Sequence, residues 1–519
     1  MQRNKLVHDL IHSLSPPEKR YILKHLKLFR EETNHADLFK AIDQLDKYDS
    51  DLLKKKLGNS GAAKHLDVAK VQLYDICLRH LRSFHENNNS EIRLKALLSE
   101  CRLLIGGGMY EHCRRRLSQL KVLAVKNFFF LVQIEINQIE RELLMQSVGN
   151  LNLFEEIVRL DEEEKMASDQ YANFRFYRQA ANLAYVHSKV IGTTHHDSAT
   201  EMLNELLSHE LLIGEEKAIS PPAKRLFYYV KAYEAKMASN TIKAIEYNRK
   251  QADILAKLFQ SIPELFQSLM SALYNLLIDY YNGGYYDEAL DIILQLRMLP
   301  ESSVMKTISS TVSRQKILIR VTNMELAVLT RMGRFEQESI NWDEVSEALV
   351  MLDEGKDLFM GIELRYSAAH FCYGSGNYRQ ALRYINTLIN DAPAELVMRM
   401  QYMAWLLRLV IYREISEDKA SYNSLIRQTR NWMEEMNVEH ELAFDILRFL
   451  ENEMTSEHGS DVWKEHLSLL QAKHKSIPEH IYETYIFDSR LWLESIEGKG
   501  SYAELVQAKY KLRAHKTQL

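Results

Sequence analysis

The amino-acid sequence predicts an all-α protein in which helical hairpins stack into an elongated array. Glycine (18) and proline (8) are scarce among the 519 residues, whereas β folds rich in tight turns use many of both. Good helix formers such as Leu, Glu, Lys and Ala fill the chain. Short breaks recur at a nearly constant interval, and a chain of this length exceeds what one compact core usually holds.

The overall composition is that of an ordinary folded protein. Hydrophobic residues make up 46% and charged residues 26%, which favours folded structure over most of the length. The net charge of −5 gives no strong global attraction to nucleic acid. Four cysteines without a CxxC pair suit a reducing compartment. Since the start shows no signal peptide and no apolar run approaches about 18 residues, we expect a cytoplasmic protein without a membrane span.

Residues 1–87 are predicted to form a separate N-terminal helical cap. Ser15 can cap a helix that starts at Pro16, and Glu18 can complete a capping box. Three segments with apolar stripes follow, the last reaching Leu81. The polar run at 87–90 interrupts the pattern, so we place the boundary there and assign residues 88–519 to the helical array.

The array itself is predicted from the positions of its turns. A fixed interval between helical pairs is typical of a solenoid, in which each pair buries its apolar face against its neighbours. The candidate turn centres lie 41 to 49 residues apart and imply about ten hairpins. They are Gly108, Gly149, Gly192, Ser239, Gly284, Gly333, Gly376, Glu417, Gly459 and Gly500.

Two of these turns share a sequence pattern. From Gly284 and from Gly376 the chain reads glycine, any residue, an aromatic, two polar residues, alanine and leucine. Glycine permits the tight turn, and alanine lets the two helices approach closely. The pattern resembles the tetratricopeptide repeat, whose closing proline corresponds to Pro393. The interval exceeds that family's 34 residues, and Arg365 and Ala369 stand where its tryptophan and glycine are typical.

The beginning of the chain carries a second resemblance. Leu14-Ser15-Pro16-Pro17-Glu18-Lys19-Arg20-Tyr21, an LSxxEKRY-type opening, and the later residues 65–74 are similar to the start of a group of uncharacterised bacterial helical-repeat proteins. This resemblance covers roughly the first 87 residues and implies no activity.

Motifs for catalysis, cofactors or metals are weak. The chain has no GxxxxGK[ST], GxSxG or HExxH sequence. The cluster His195-His196-Asp197 is the most ligand-like, but solvated histidines beside a turn explain it better. We therefore predict that the protein is not an enzyme and has no catalytic residues, cofactor or metal site.

The resemblance to tetratricopeptide repeats implies a peptide-binding groove lined by the first helix of each hairpin. Amide side chains can hold an extended backbone by paired hydrogen bonds, and tyrosines offer large contact area at low entropic cost. Packing between helices is the competing explanation for any one tyrosine. The predicted groove residues are Gln179, Asn182, Tyr229, Tyr233, Tyr274, Tyr281, Arg320, Asn323, Tyr366, His370 and Tyr373.

The predicted function is a non-catalytic adaptor or scaffold that binds a protein or peptide on this groove. Nucleic acid and membrane are not expected partners. The alternative is a regulator whose cap contacts nucleic acid or an effector protein. Residues 1–87 contain 16 Lys and Arg against 12 Asp and Glu, which is a weak basic bias.

Overall fold

The computed structural model consists of α-helices joined by short connections. It describes residues 5–28, 33–45, 47–58, 61–86, 89–146, 152–190, 197–301, 311–355, 357–391, 398–415, 418–438, 441–455, 461–476 and 487–517. Within these ranges there are 25 α-helices and no β-strand, which confirms the all-α class. None of the helices in this part of the chain is long and apolar enough to cross a membrane.

The helices vary from single turns to one of 38 residues. In chain order they are α1 (Leu6–Ser13), α2 (Pro16–Leu28), α3 (Thr33–Asp43), α4 (Ser50–Leu57), α5 (Gly61–Lys64), α6 (Leu66–His85), α7 (Ser90–Gly106), α8 (Tyr110–Lys126), α9 (Phe130–Met145), α10 (Leu153–Val190), α11 (Asp197–Leu207), α12 (Pro221–Met237), α13 (Thr241–Phe259), α14 (Phe266–Gly283), α15 (Tyr286–Met298), α16 (Thr311–Met332), α17 (Trp342–Gly355), α18 (Leu358–Gly374), α19 (Tyr378–Asp391), α20 (Met398–Ile415), α21 (Lys419–Glu435), α22 (Glu441–Thr455), α23 (Asp461–Ser476), α24 (Ser489–Ile496) and α25 (Tyr502–Thr517).

The chain forms two compact units. Unit 1 comprises Met1–Ser239, Glu246–Ala272 and Glu301–Thr311, and unit 2 comprises Asn240–Ile245, Leu273–Pro300 and Val312–Leu519. Within unit 1, the buried apolar residues of α1–α6 form one hydrophobic cluster, and those of α7–α9 form another. The boundary expected after residue 87 stays a prediction.

The Glu18 half of the predicted capping box is present at the start of α2. The backbone N–H and the hydroxyl of Ser15 both donate to Glu18 Oε2, at 2.7 and 2.6 Å. The other carboxylate oxygen lies 2.6 Å from His85 Nε2 at the end of α6. Burial raises the pKa of Glu18, but the bonds from His85 and Ser15 outweigh it and lower the pKa overall, so the carboxylate stays charged and ties α2 to α6.

Six of the ten predicted turn centres lie in the described residues, and all six lie between helices. Each has a positive φ, the backbone conformation that ends one helix and reverses the chain direction before the next. The turn prediction is thus confirmed at these positions, while Gly149, Gly192, Glu417 and Gly459 lie outside the described residues, as does Pro393. The six angles are 71° at Gly108, 55° at Ser239, 79° at Gly284, 69° at Gly333, 76° at Gly376 and 145° at Gly500.

One helix departs from a regular alternation of short helices. A regular array would place two helices between turns at residues 149 and 192, but α10 runs without a break from Leu153 to Val190. The reason lies in its sequence, because these 38 residues contain neither glycine nor proline to interrupt the helix.

In unit 1, α10 and α12 run parallel to each other. Asn173 Nδ2 donates to the carbonyl of Lys217 (2.8 Å), just before α12 starts. Further along both helices, His187 Nδ1 and Tyr233 Oη are 2.7 Å apart. The partners are separated by 44 and 46 residues in the sequence, which is about one predicted interval.

Unit 2 contains contacts of the same kind. The guanidinium of Arg320 on α16 lies 5.1 Å from the ring centre of Tyr274 on α14. On α20, Arg413 pairs with Glu453 on α22 at 2.7 Å, across 40 residues of sequence. Alternate helices therefore touch each other at partners about one interval apart.

Candidate functional site

The four predicted groove residues of unit 1 lie on α10 and α12. Gln179 and Asn182 on α10 are exposed, and Tyr229 and Tyr233 on α12 are half-buried. Burial raises the pKa of Tyr229, and the neighbouring hydroxyls of Tyr185 and Tyr233 raise it further. Because Asn182 and Tyr185 are three residues apart, they share one face of α10. The structure thus brings the amide face of α10 beside the tyrosine face of α12.

A residue that the sequence prediction missed lies on the same face of α12. Arg225 precedes Tyr229 by one helical turn and is half-buried. Burial lowers the pKa of its guanidinium, and among the described residues no hydrogen bond or ion pair joins it. Burying a charge is unfavourable unless it is paired, and the described residues supply no counter-charge to Arg225. Arg225 lies four residues before Tyr229, and this helical spacing could have placed it on the same face from the sequence alone.

In unit 2, three further predicted residues lie on α14 and α16. Tyr274 is half-buried beneath the exposed guanidinium of Arg320, so the pair forms a cation–π contact. Asn323 is buried, and its side-chain oxygen has no hydrogen-bond partner among the described residues. Asn323 is therefore not available on the surface as a peptide-binding amide in this structure.

The three predicted residues on α18, which are Tyr366, His370 and Tyr373, contact the chain's own C-terminal segment, defined here as residues 487–517. The backbone N–H of Phe487 donates to the hydroxyl of Tyr366 (3.5 Å). Tyr502 Oη lies 3.0 Å from His370 Nε2. The ring of Tyr373 has centroid distances of 5.4 Å to Phe487 and 5.3 Å to Tyr502.

The last helix, α25, passes over the turns that join α14 to α15 and α16 to α17. Tyr510 donates to Asp287 Oδ2 at 2.5 Å. At Gly333, a Cβ atom would lie only 2.5 Å from the backbone nitrogen of Gln507. Glycine is therefore required there twice, for its positive φ and for the close approach of α25.

The C-terminal segment is part of the core of unit 2. Five of its side chains are buried in the hydrophobic cluster that includes α18, α20 and α22. At about 1.5–3 kcal/mol for each large apolar side chain, their burial contributes on the order of 10 kcal/mol as an upper estimate. Tyr366, His370 and Tyr373 act here as packing residues, and a separate partner could reach them only if the segment left. The five are Phe487, Trp492, Leu493, Tyr502 and Val506.

A buried charge network fixes the start of this segment. Asp488, which is 4% exposed, accepts a hydrogen bond from the backbone N–H of Arg490 and caps α24. Its carboxylate also pairs with Lys509 at 2.8 Å and with the Arg490 side chain at 3.4 Å. Burial raises the pKa of Asp488, but the two cations outweigh burial and lower it overall.

The buried His370 and the half-buried Arg331 face the same region. Burial lowers the pKa of His370 to about 3, and the charge of Arg331 contributes to the shift, so the imidazole is neutral at physiological pH. Arg331 donates from Nε to the hydroxyl of Tyr281 at 3.2 Å. Tyr281, one of the predicted groove residues, thus contacts a half-buried cation.

A cavity of about 30 Å³ lies between these groups and α25. A drug-sized ligand needs roughly 300–1,000 Å³, whereas a water molecule needs at least about 10–15 Å³. The cavity therefore has room for about two waters and not for an organic substrate. The described residues that line it are Tyr286, Thr330, Arg331, His370, Asp488, Leu491, Tyr502, Val506, Lys509, Tyr510 and Arg513.

The cysteines lack the features of catalytic thiols. All four are buried and free, and burial raises the pKa of Cys77, Cys101 and Cys372 to about 12. Only the thiolate is a strong nucleophile, so these groups stay protonated and unreactive.

The most metal-like cluster in the sequence is not covered by the structure. His195 and His196 lie outside the described residues. In the part of the chain that is described, no group of three or more His, Cys, Asp and Glu side chains could hold a metal ion.

The basic runs considered for nucleic-acid binding differ in their pairing. Lys54, Lys55 and Lys56 on α4 are exposed. In the other run, Arg114 pairs with Glu111, and Arg116 lies 3.1 Å from Glu100, so neighbouring carboxylates neutralise part of that charge.

Comparison of the chain with protein-family models, with curated protein sequences and with solved structures gives no match in any of the three.

Proposed function

We propose that this chain is a non-catalytic protein-binding scaffold, built as a tetratricopeptide-like α-solenoid. Contacts between alternate helices at partners 40 to 46 residues apart support the stacking. The positive φ at all six described turns supports the hairpins. The resemblance to a bacterial group of helical-repeat proteins and the cytoplasmic location belong to the same proposal.

The main support for a binding role is the accessible face formed by α10 and α12. It presents exposed amides at Gln179 and Asn182 beside half-buried tyrosines at Tyr229 and Tyr233. Amides can hold a partner's backbone, and partly exposed tyrosines can bury large area on binding. Arg225 adds a cation on this face that has no ion-pair partner within the described ranges, so the partner we propose is a polypeptide with an acidic side chain.

Unit 2 supplies a precedent within the same molecule. There the predicted groove positions on α18 pack against a polypeptide, the segment 487–517, through ring contacts and hydrogen bonds. We propose that the α10–α12 face uses the same chemistry on a separate chain.

The test is quantitative co-purification from the native cells, using the full-length protein as bait. Asn182→Ala with Tyr229→Ala, and separately Arg225→Gln, should reduce recovery of the partner at least about tenfold, since a hot-spot residue at the centre of an interface costs about 2 kcal/mol or more when it is removed. Ile242→Ala on α13 is the matched control, because it removes an exposed apolar side chain (70%) elsewhere.

A partner set that is unchanged in both groove variants would rule out the α10–α12 face as the binding surface. If Ile242→Ala also reduced recovery of the partner, the effect would be a general one of surface substitution and would count equally against the α10–α12 face as the binding surface.

The second candidate is the regulator whose N-terminal cap contacts nucleic acid or an effector protein. The observation that favours it is the exposed run Lys54–Lys56 on α4. Three adjacent cations on one short helix can contact phosphates, although ion pairs such as Lys19 with Asp43 offset the charge elsewhere in the cap.

A further inference from the structure

A groove in unit 1, called here the α12–α13 groove, lies between the start of α12 and the end of α13. Its volume is about 400 Å³, which is within the range of about 300–1,000 Å³ for sites that bind small organic molecules. All the described residues that line it belong to unit 1. Its apolar lining includes Ile219, Pro221, Ile254 and Leu258.

This apolar lining contacts both the core and the solvent. Ile254 packs against the buried hydrophobic cluster that includes residues of α10 and α12. Ile219 is 52% exposed, and Leu258 is half-buried. Apolar surface left in water is unfavourable in proportion to its area, so a ligand with an apolar chain would be stabilised by covering it.

Two lysines give the groove its charge. Lys224 on α12 and Lys257 on α13 line it, and none of the described lining residues is acidic. Lys257 is exposed, and no ion pair joins it to another described residue. Asp253, one turn earlier on the same helix, is exposed and does not pair with it. The lining therefore favours a ligand with a negative charge.

The carboxylate that neighbours Lys224 is shared with other groups. Glu215 Oε1 lies 3.6 Å from Lys224. The same carboxylate accepts a hydrogen bond from the hydroxyl of Tyr228 and lies 3.9 Å from Lys250. At 3.6 Å the contact with Lys224 is longer than a charged hydrogen bond of about 2.7–2.9 Å, so Lys224 can bind a second anionic group.

The extent of the groove favours a small molecule over a polypeptide. A stable protein interface uses about 20–30 residues on each side, whereas eight described residues line this groove. Largely apolar walls with a few polar groups that fix the orientation of the ligand are typical of small-molecule sites.

We propose that the α12–α13 groove binds an amphiphilic carboxylate, in which an apolar chain ends in a carboxylate group, as in a medium-chain fatty acid. The chain lies against Ile219, Ile254 and Leu258, and the carboxylate pairs with Lys224 and Lys257. The combination of apolar walls with lysines, rather than either feature alone, defines this ligand. The lining residues differ from those of the α10–α12 face, so the site stands or falls separately from the proposed scaffold function.

The test is isothermal titration calorimetry of the purified full-length protein with sodium octanoate, below the concentration at which octanoate forms micelles. Octan-1-ol and octylammonium carry the same chain with a neutral or a positive end group. Octanoate should bind at one site and octan-1-ol about tenfold more weakly, since two ion pairs at a solvated site are together worth about that much. Octylammonium should bind most weakly of the three. Added salt should reduce the difference between octanoate and octan-1-ol, because it screens the ion pairs.

Two substitutions test the site, each with a matched control on α13. Lys257→Gln removes a lining cation and should weaken octanoate binding about threefold while leaving octan-1-ol binding unchanged. Ile219→Ser removes a partly exposed apolar side chain from the lining and should weaken the binding of both ligands about fivefold. The controls Lys243→Gln and Ile242→Ser replace an exposed lysine and an exposed isoleucine outside the lining, and they should bind octanoate like the wild type.

Melting curves followed by circular dichroism show that each variant is folded before it is titrated. The absence of octanoate binding would overturn the proposal and would indicate that a polypeptide or solvent covers the groove. Equal affinity for octanoate and octylammonium would overturn it as well, because the lysines would then contribute nothing. Octanoate binding that Lys257→Gln and Ile219→Ser both leave unchanged would place the ligand elsewhere and reject the site.

Discussion

At the scale of single residues, the close approach at Gly333 shows how two constraints can fall on one position. Its φ of 69° is unfavourable for any residue with a side chain, and its missing Cβ leaves space for the backbone of Gln507. The sequence revealed the first constraint through the turn interval. The second depends on a helix more than 170 residues later and could not be read from local sequence.

Gly333→Ala is therefore expected to lower the free energy of unfolding by roughly 1–3 kcal/mol, from backbone strain and from displacement of α25. Urea denaturation followed by circular dichroism measures the change. Gly355→Ala is the control, since no atom lies within 4 Å of its added Cβ; that substitution should be neutral or slightly stabilising. Equal stability of the two variants would contradict the close approach.

Asp488→Asn should destabilise the protein by about 3 kcal/mol at neutral pH, because it leaves Lys509 and Arg490 without their buried counter-charge. Because Asn can still cap α24, the loss of stability measures the effect of removing the negative charge. The pKa of Asp488 is lowered on folding. Its contribution is thus complete above the unfolded pKa of about 3.9 and is lost as the pH falls through the lower, folded value.

Denaturation curves at several pH values measure this difference. The difference in the free energy of unfolding between the wild type and Asp488→Asn should stay constant near neutral pH and become smaller in acid. Asp418→Asn, at the exposed cap of α21, should cost far less, since water screens its charge. If the free-energy difference between the wild type and Asp488→Asn became larger in acid, Asp488 would not be the stabilising carboxylate described here.

At the scale of elements, the C-terminal segment covers the part of the predicted groove that α18 forms. The face of α18 that carries Tyr366, His370 and Tyr373 was predicted to face a partner, and it instead contacts the chain's own residues 487–502. Helical spacing places these three aromatic residues on one face of α18, and the resemblance to tetratricopeptide repeats assigned that face to a partner. They could not identify what covers it, because that depends on where the last helices fold back.

Trp492→Ala on α24 should remove about 3–5 kcal/mol of stability, since its side chain is 0% exposed. It should also speed hydrogen exchange at residues 366–373, because the C-terminal segment then opens more often. Leu512→Ala on α25, where the side chain is 68% exposed, should leave exchange unchanged. Unaltered protection at residues 366–373 in Trp492→Ala would mean that α24 does not hold the cover in place.

At the scale of the whole molecule, the charge pattern bears on the choice between scaffold and regulator. A net charge of −5 and a cap whose cations are partly paired favour the scaffold. We expect nucleic-acid affinity no tighter than the non-specific range of about 10⁻⁴–10⁻⁶ M at physiological salt.

Fluorescence anisotropy across a range of salt concentrations measures this affinity. Replacing Lys54, Lys55 and Lys56 together by glutamine should leave the weak binding nearly unchanged. Tighter binding in the wild type, with a salt dependence that the triple variant loses, would instead support the regulator.

By itself, the sequence determined the helical class, the pairing of Ser15 with Glu18 at the start of α2 and the positions of the six described turns. These features follow from local chemistry: helix propensity, side chains that reach their own backbone, and residues that tolerate positive φ. Only the tertiary structure decided that Arg225 is half-buried without an ion-pair partner among the described residues, and that residues 487–517 cover the face of α18. Those outcomes depend on contacts between residues distant in sequence, whose burial energy is set by the packed chain and not by any local pattern.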